Sequence, residues 1–543
     1  MKPQRQIRFA PIGVLFLGLA FPLFGGVHEH EMGGTTPAKL GKVHFKVECT
    51  AAAQKYFDLA MAYYHSFAWH RYEAPLERVL KADPSCGMAH WARALAILDN
   101  PFIWPGILSP SRLNDAQAAL DAARKTGLKS QRERDYVEAL AVFLKDHDKV
   151  NHRTRAQAFE TAMAGLASRY PEDQEASILY ALILSANFDP TDRKYTNQLK
   201  AAQILEPIFK QQPEHPGVAH YLIHSYDYPP IASQGLEAAR RYATIAPDAT
   251  HALHMPSHIF TRVGYWRESV EANRASAAAA TDKTFDKLHA YDYMVYAHLQ
   301  LGQDSAARNV LAEARKVPSL LDHFAFAYAF AAMPARVALE RGAWKEAANL
   351  SLYPAADGYP WKKYPQAEAV NAYARGVGAA MNKDATAAHA EVRRLHVLRD
   401  AAAALKIGYW VEQIDIQANV VSGLVAHAEG KQAEGVEILN KAAEREDATE
   451  KHVVTPGPLV PAREVLAQAL LASSKPAEAL REFEHVLAKE PNRYRAFAGA
   501  AQAAEQAGDA KKAEFYSTRL VEMTKNADSA RPEIAQAKRR LGM

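Results

Sequence analysis

A chain of 543 residues is long enough for three or four ordinary domains or for one extended repeat array, since a single hydrophobic core stops growing near about 250 residues. Its 49% hydrophobic and 23% charged residues exclude a disordered chain and an integral membrane bundle. A formal charge of +4, with no basic run interleaved with aromatics, gives no electrostatic case for nucleic acid as a partner.

Residues 1–26 read as a secretory signal: Lys2, Arg5 and Arg8 precede the apolar run "FAPIGVLFLGLAFPLF", which ends at Gly25 and Gly26. The run is shorter than the ~20 residues of a spanning helix and holds Pro11 and Pro22, which favours cleavage and a periplasmic or secreted protein without stable membrane insertion. The alternative is an inner-membrane anchor through residues 9–24. Residues 27–44 are expected to be a flexible segment, in which "HEHEM" (His28, His30, Met32) offers a copper-binding end. Cys49 and Cys86 are the only cysteines, and export would expose both to an oxidising compartment. They read equally as a disulfide or as two buried thiols, because spacing does not fix their separation in space.

From residue 45 onward, alanine-rich stretches with apolar spacings of three and four, such as "AAAQKYFDLAMAYYHSF" and "TRAQAFETAMAGLASRY", alternate with short breaks of Gly, Pro, Asn or Asp. No alternating run suggests a sheet, so the expected class is all-α. In "PAEALREFEHVLAKEPNRYRAFAGAAQAAEQAGDAKKAEFYSTRLVEM", Ala479 and Ala513 occupy equivalent points 34 residues apart. The same grammar recurs in "RYEAPLERVLKADPSCGMAHWARALAI" and "LGQDSAARNVLAEARKV". Helix pairs of this length, with a small residue at the crossing and a proline at the join, resemble the tetratricopeptide repeat. The resemblance implies an α-solenoid of stacked antiparallel helix pairs, wound as a right-handed superhelix whose first helices line a concave surface. It also implies a scaffold that binds a peptide or protein partner there.

The expected organisation is N-terminal repeats over 45–190, central repeats over 191–350, a linker or insert at 351–365 ("SLYPAADGYPWKKYP"), and C-terminal repeats over 366–543. The central part is rich in histidine. "HPGVAHYLIHSYD" supplies His215, His220, His224 and Asp227, and "HALHMPSHIF" supplies His251, His254 and His258. His220 and His224 share a helical face with Asp227, and His254 and His258 repeat their spacing after 34 residues, the repeat period. The next first helix adds His289, Asp292, Tyr293 and Tyr296. The tract is similar to one in exported bacterial tetratricopeptide proteins, a likeness that implies no activity.

Two functions follow as expectations. The first is a groove for a peptide or protein segment, lined by His220, His224, Asp227, His254, His258, Arg262, Asp292, Tyr293 and Tyr296. The second is a Zn, Cu or Fe site, or a metal-dependent enzyme, built on His220, His224, Asp227, His254 and His258. No catalytic residue is assigned: Tyr221 stands where the H-E-x-x-H motif has its glutamate, and Ser225 and Ser257 adjoin histidines by sequence only. The plain structural alternative is packing. Pro256 suits the first turn of a helix, which leaves His251 and His254 in an opening turn and His251 farthest from the common face. Trp69, Tyr72, Trp91 and Trp104 read as core or groove lining, and Arg240, Arg241, Arg262 and Arg267 as a solvated face, with Arg262 also offered to the groove.

Overall fold

The computed structural model describes residues 38–104, 106–280, 286–318 and 320–543. The signal at 1–26, its anchor alternative at 9–24, and His28, His30 and Met32 lie outside the described residues. Among those described, the chain forms 26 α-helices and four short 3₁₀ turns, with no strand. No helix among them is long and apolar enough to cross a membrane.

Local chemistry starts and stops the helices as the sequence suggests. Side chains of Thr50, Ser109, Ser130, Asn151 and Asp509 accept from the second or third free amide of their helices. Pro110, Pro216, Pro256, Pro365, Pro476 and Pro532 occupy first-turn positions, where a missing N–H costs nothing. Each helix then packs on the next as a hairpin, and the first helices stack in register: Asp286–Gln300 on Phe324–Glu340, that on Pro365–Met381, and that on Gly408–Ala428. Fully buried alanines at the crossings, among them Ala290, Ala297, Ala327 and Ala374, let the backbones approach closely. The architecture is an α-solenoid of stacked helix pairs.

The coil folds back on itself. Helix Tyr494–Gln506 packs against Asp286–Gln300, and the Trp266 indole N–H donates to the Asn492 carbonyl at 2.8 Å. Gly264 sits at φ +70°, and a Cβ there would fall 2.2 Å from the Pro491 carbonyl oxygen, so only glycine permits this approach. At the other end, helix Ala51–His65 packs on Pro216–Tyr226.

Two boundaries differ from the sequence reading. Residues 39–44 are not flexible: the Lys39 amide donates to Asp248 at 2.7 Å, the Lys42 amide to the Glu214 carbonyl at 2.9 Å, and Leu40 is buried. Position 190 falls between helices Gln174–Ala186 and Thr196–Gln211, which pack as one pair, so the repeats run through it. Residues 351–364 are a packed insert, with the Trp361 indole buried and donating to the Pro354 carbonyl at 2.9 Å. Residues 39–543 form one compact unit. Cys49 and Cys86 are joined by a disulfide, with Cα atoms 5.4 Å apart.

A buried ion cluster locks the fold-back. The Arg493 guanidinium, fully buried, donates to Glu464 at 2.6 Å, to Glu340 at 2.6 Å and to the Tyr296 hydroxyl at 2.9 Å. Removing one partner of such a cluster strands charge in a low-dielectric interior. Arg493→Met is expected to lower stability by about 3–5 kcal/mol, read as a reduced urea midpoint, whereas Arg267→Met on the exposed face of its helix should leave the midpoint unchanged.

Candidate metal centre

Four helices of successive repeats carry the histidines. Helix Pro216–Tyr226 presents His220 and His224 one turn apart, both buried. Helices Thr250–His254 and Pro256–Arg262 are separated only by Met255, itself in helical conformation (φ −53°, ψ −35°), so His251, His254 and His258 lie along one kinked face. Pro256 does open a helix, but His251 and His254 sit in a helical turn of their own, not in an irregular opening turn. Helix Asp286–Gln300 adds His289.

These side chains form two adjacent groups of three imidazoles, His220, His224 and His251, and His254, His258 and His289, with the donor atoms of each group within 4.8 Å of one another. In the first, His220 Nε2 lies 3.1 Å from both His224 Nε2 and His251 Nε2. In the second, His254 Nε2 and His258 Nε2 are 3.1 Å apart. The groups adjoin: the His224 and His258 rings, and likewise the His251 and His254 rings, have centroids 6.3 Å apart.

The partners on the far side of each ring determine what these close approaches mean. His220 Nδ1 donates to the His65 carbonyl at 2.7 Å, His254 Nδ1 to Asn273 Oδ1 at 2.6 Å, and His258 Nδ1 to Asp227 at 2.8 Å. A neutral imidazole has one N–H, so each of these rings turns a bare lone pair inward from Nε2. Burial, reinforced by neighbouring imidazoles, holds His220, His224, His251 and His289 well below the ordinary histidine range and His254 down at about 3. Between His254 and His258, lone pairs therefore converge with no proton between them. A transition-metal ion ~2.0–2.1 Å from two nitrogens 3.1 Å apart subtends about 100°, close to a tetrahedral angle.

Asp227 is not placed to ligate. Its carboxylate receives His258 Nδ1, Arg262 Nε at 2.8 Å and Lys451 Nζ at 2.9 Å. Burial alone would raise its pKa, but Lys451 and Arg262 overcome that and hold the group well below the carboxylate range. Burial brings Lys451 down to about 8 against the pull of Asp227. Asp227 and Asn273 thus orient imidazoles, the arrangement that fixes ring and tautomer in metal sites. The Tyr293 hydroxyl donates to the Thr455 carbonyl at 3.2 Å and lies 3.4 Å from His258 Nε2.

A third cluster, His65, Glu175 and His215, braces the first. Glu175 bonds His65 Nε2 at 3.1 Å and His215 Nε2 at 2.9 Å, the Tyr221 hydroxyl meets His65 Nδ1 at 2.9 Å, and the Val218 amide donates to His215 Nδ1 at 3.3 Å. All four ring nitrogens are engaged, so this cluster positions the His65 carbonyl beneath His220 and has no lone pair to spare. Gly217 makes room for it, since a Cβ there would fall 2.5 Å from His65 Nδ1.

Other residues singled out in the sequence lie elsewhere. Asp292 is buried against Arg336, whose guanidinium also reaches Thr455 and the Gly457 and Pro458 carbonyls. Arg262 and Tyr296 line a separate cleft, partly open to solvent, together with Tyr328, Tyr373, Tyr409 and Trp410. Burial pushes Glu446, in the same cleft, up to about 7. Trp91 packs on Phe45 and Tyr136, and Trp104 stacks on Phe143. Trp69 stacks on Phe67, and Tyr72 donates to the Ala92 carbonyl. Ser225 and Ser257 bond within their own neighbourhood, to the Tyr221 carbonyl and Asn273. Arg241 lies over the Phe209 ring, while Arg240 and Arg267 are exposed.

Fold and site together define an α-solenoid of stacked helix pairs with a buried imidazole cluster where central repeats meet. No protein-family model and no curated protein matches the chain. Among solved structures it is similar to yeast Tom70, at 11% identity over 90% of this chain and 88% of that one, with a TM-score of 0.30. The P58(IPK) TPR domain matches at 12% identity over 91% and 99%, with a TM-score of 0.20. Naa15/Naa10 bound to HypK-THB matches at 12% over 90% and 77%, with a TM-score of 0.24. Likenesses this loose carry no functional argument, and the repeat architecture stands on the helix pairs themselves.

The buried imidazoles dictate a pH response of the unliganded protein. Their pKa values are lower folded than unfolded, so below about pH 6.5 the unfolded chain takes up protons that the folded one refuses. Each such histidine then contributes a loss of about 1.4 kcal/mol per pH unit until its folded pKa is reached. Glu446, raised when folded, opposes this as a single group. The urea midpoint without added metal is expected to fall markedly between pH 7.5 and 5.5, and an unchanged midpoint would contradict neutral burial of the cluster.

Proposed function

We propose that this protein is a metal-binding helical-repeat scaffold in which His220, His224 and His251 hold one transition-metal ion, and His254, His258 and His289 hold a second beside it. One observation carries the reading: His254 and His258 face each other Nε2 to Nε2 at 3.1 Å while Asn273 and Asp227 occupy their Nδ1 protons. Two lone pairs so close repel unless a cation lies between them. Three protein ligands per ion leave each ion an open position, the pattern of sites that bind or transform a further ligand. The disulfide between Cys49 and Cys86 supports an oxidising, exported location.

Elemental analysis of untagged protein equilibrated with Zn(II) or with Cu(I) under reducing conditions, then dialysed, is expected to give two equivalents of one of these metals. His220→Ala and His258→Ala should each retain about one equivalent. Asp227→Asn, which keeps shape but weakens the orienting bond, should bind about 10–100-fold less tightly. Fewer than about 0.2 equivalents in the unmodified chain would sink the reading.

A second reading, a peptide or protein segment on the concave surface, draws on the aromatic cleft at Tyr328, Tyr373, Tyr409 and Trp410. The buried Gln417 carbonyl oxygen on its wall has no partner among the described residues, leaving an acceptor for an incoming N–H. Selection of the intact chain against a random peptide library is expected to enrich binders that Gln417→Leu weakens about tenfold. Equal enrichment by both proteins would place any binding elsewhere.

A further inference from the structure

The paired imidazole groups suggest a more specific chemistry than metal retention, and three features of their surroundings narrow it. The first is donor type. Both groups are wholly imidazole, without the carboxylates that paired iron or manganese centres use to balance their charge. Copper and zinc suit such sets.

The second is charge. The ligands contribute no negative charge, and the adjacent carboxylate, Asp227, already serves His258, Arg262 and Lys451. Two divalent ions would add four positive charges to a buried site beside two cationic side chains, a costly arrangement without an anion. Two Cu(I) ions add two.

The third is enclosure. Phe102 stacks on the His224 ring at 4.0 Å, and Phe67 packs against His220 at 4.4 Å. These apolar rings cover the first group, and the Asp227 carboxylate with Lys451 and Arg262 stands between the second group and the open cleft. Apolar rings on one side and paired charge on the other favour a small uncharged molecule over a bulky or charged one.

Resting on the two-ion reading above, we infer that the site holds a pair of Cu(I) ions and binds dioxygen between them as peroxide. Each Cu(I) gives one electron, two Cu(I) become two Cu(II), and O₂ becomes O₂²⁻ with its O–O bond retained. Two copper–oxygen links form, no proton moves, and no external reductant is consumed. The total charge of metals plus ligand is +2 before and after. An environment that cannot supply a counter-anion therefore accommodates both states, and release of O₂ returns the electrons to copper.

The test is anaerobic loading of the intact, untagged chain with two equivalents of Cu(I), removal of unbound copper, and addition of oxygenated buffer. The expected result is uptake of one O₂ per two copper ions, with a new near-ultraviolet charge-transfer band, no Cu(II) paramagnetic resonance because the two spins couple, and reversal under vacuum. Zn(II)-loaded protein should take up none. His254→Gln, its fold checked by circular dichroism, should keep one copper and lose the uptake. Two retained copper ions without O₂ uptake, or uptake that leaves two isolated paramagnetic Cu(II) ions, would overturn the dioxygen inference and leave the two-metal reading standing. Retention of Zn(II) but not Cu(I) would do the same, and retention of neither would defeat both.

Discussion

The Asp227 carboxylate joins three parts of the chain at one point. It accepts from His258 and Arg262 of the following repeat and from Lys451, more than two hundred residues further on. A buried carboxylate left without such partners would cost several kcal/mol. The segment carrying Lys451 must therefore dock wherever Asp227 is buried. Arg336 then gathers the next residues of that segment through Thr455, Gly457 and Pro458, and Arg493 ties the last repeats to Glu340. Buried charge needs partners, and that need closes the coil.

The same requirement shapes the imidazole cluster. Stacking first helices at the repeat period sets histidines from successive pairs beside one another. Stacking alone would leave the rings free to turn either nitrogen inward. Direction comes from outside the two sets: the His65 carbonyl from the first repeat, Asn273 from a second helix, and Asp227 from the end of the preceding first helix. Glu175, between His65 and His215, extends the support one layer further.

Much of this was legible in the sequence because it is periodic. Alanine spacing, capping residues and first-turn prolines mark the helices, and the 34-residue echo between "HYLIH" and "HMPSH" marks two turns of histidines on one surface. Sequence places His251 off the common face because a proline disfavours helical geometry in the residue before it, whereas Met255 is helical and carries the face back to His251. Angular position on a helix groups Asp227 with the candidate ligands but does not reveal that Arg262 and Lys451 claim the carboxylate. His65, Glu175 and Lys451 gave no local signal at all. Their roles arise from contacts between distant repeats, and no spacing rule reaches that far. For His289, the offset of 35 residues from His254 was the available clue.

The distance along the chain between Asp227 and Lys451 also has a consequence in time. Synthesis adds about 5–20 residues per second, so Asp227 and the histidines around it leave the ribosome roughly 10–45 seconds before the lysine that neutralises them. During that interval the central helices have their imidazoles but neither their counter-charge nor the covering repeats. The imidazoles are open and poorly oriented in that interval, and enclosed in the finished fold. The order of the repeats therefore acts as a schedule that delays the finished site until the last third of the protein exists.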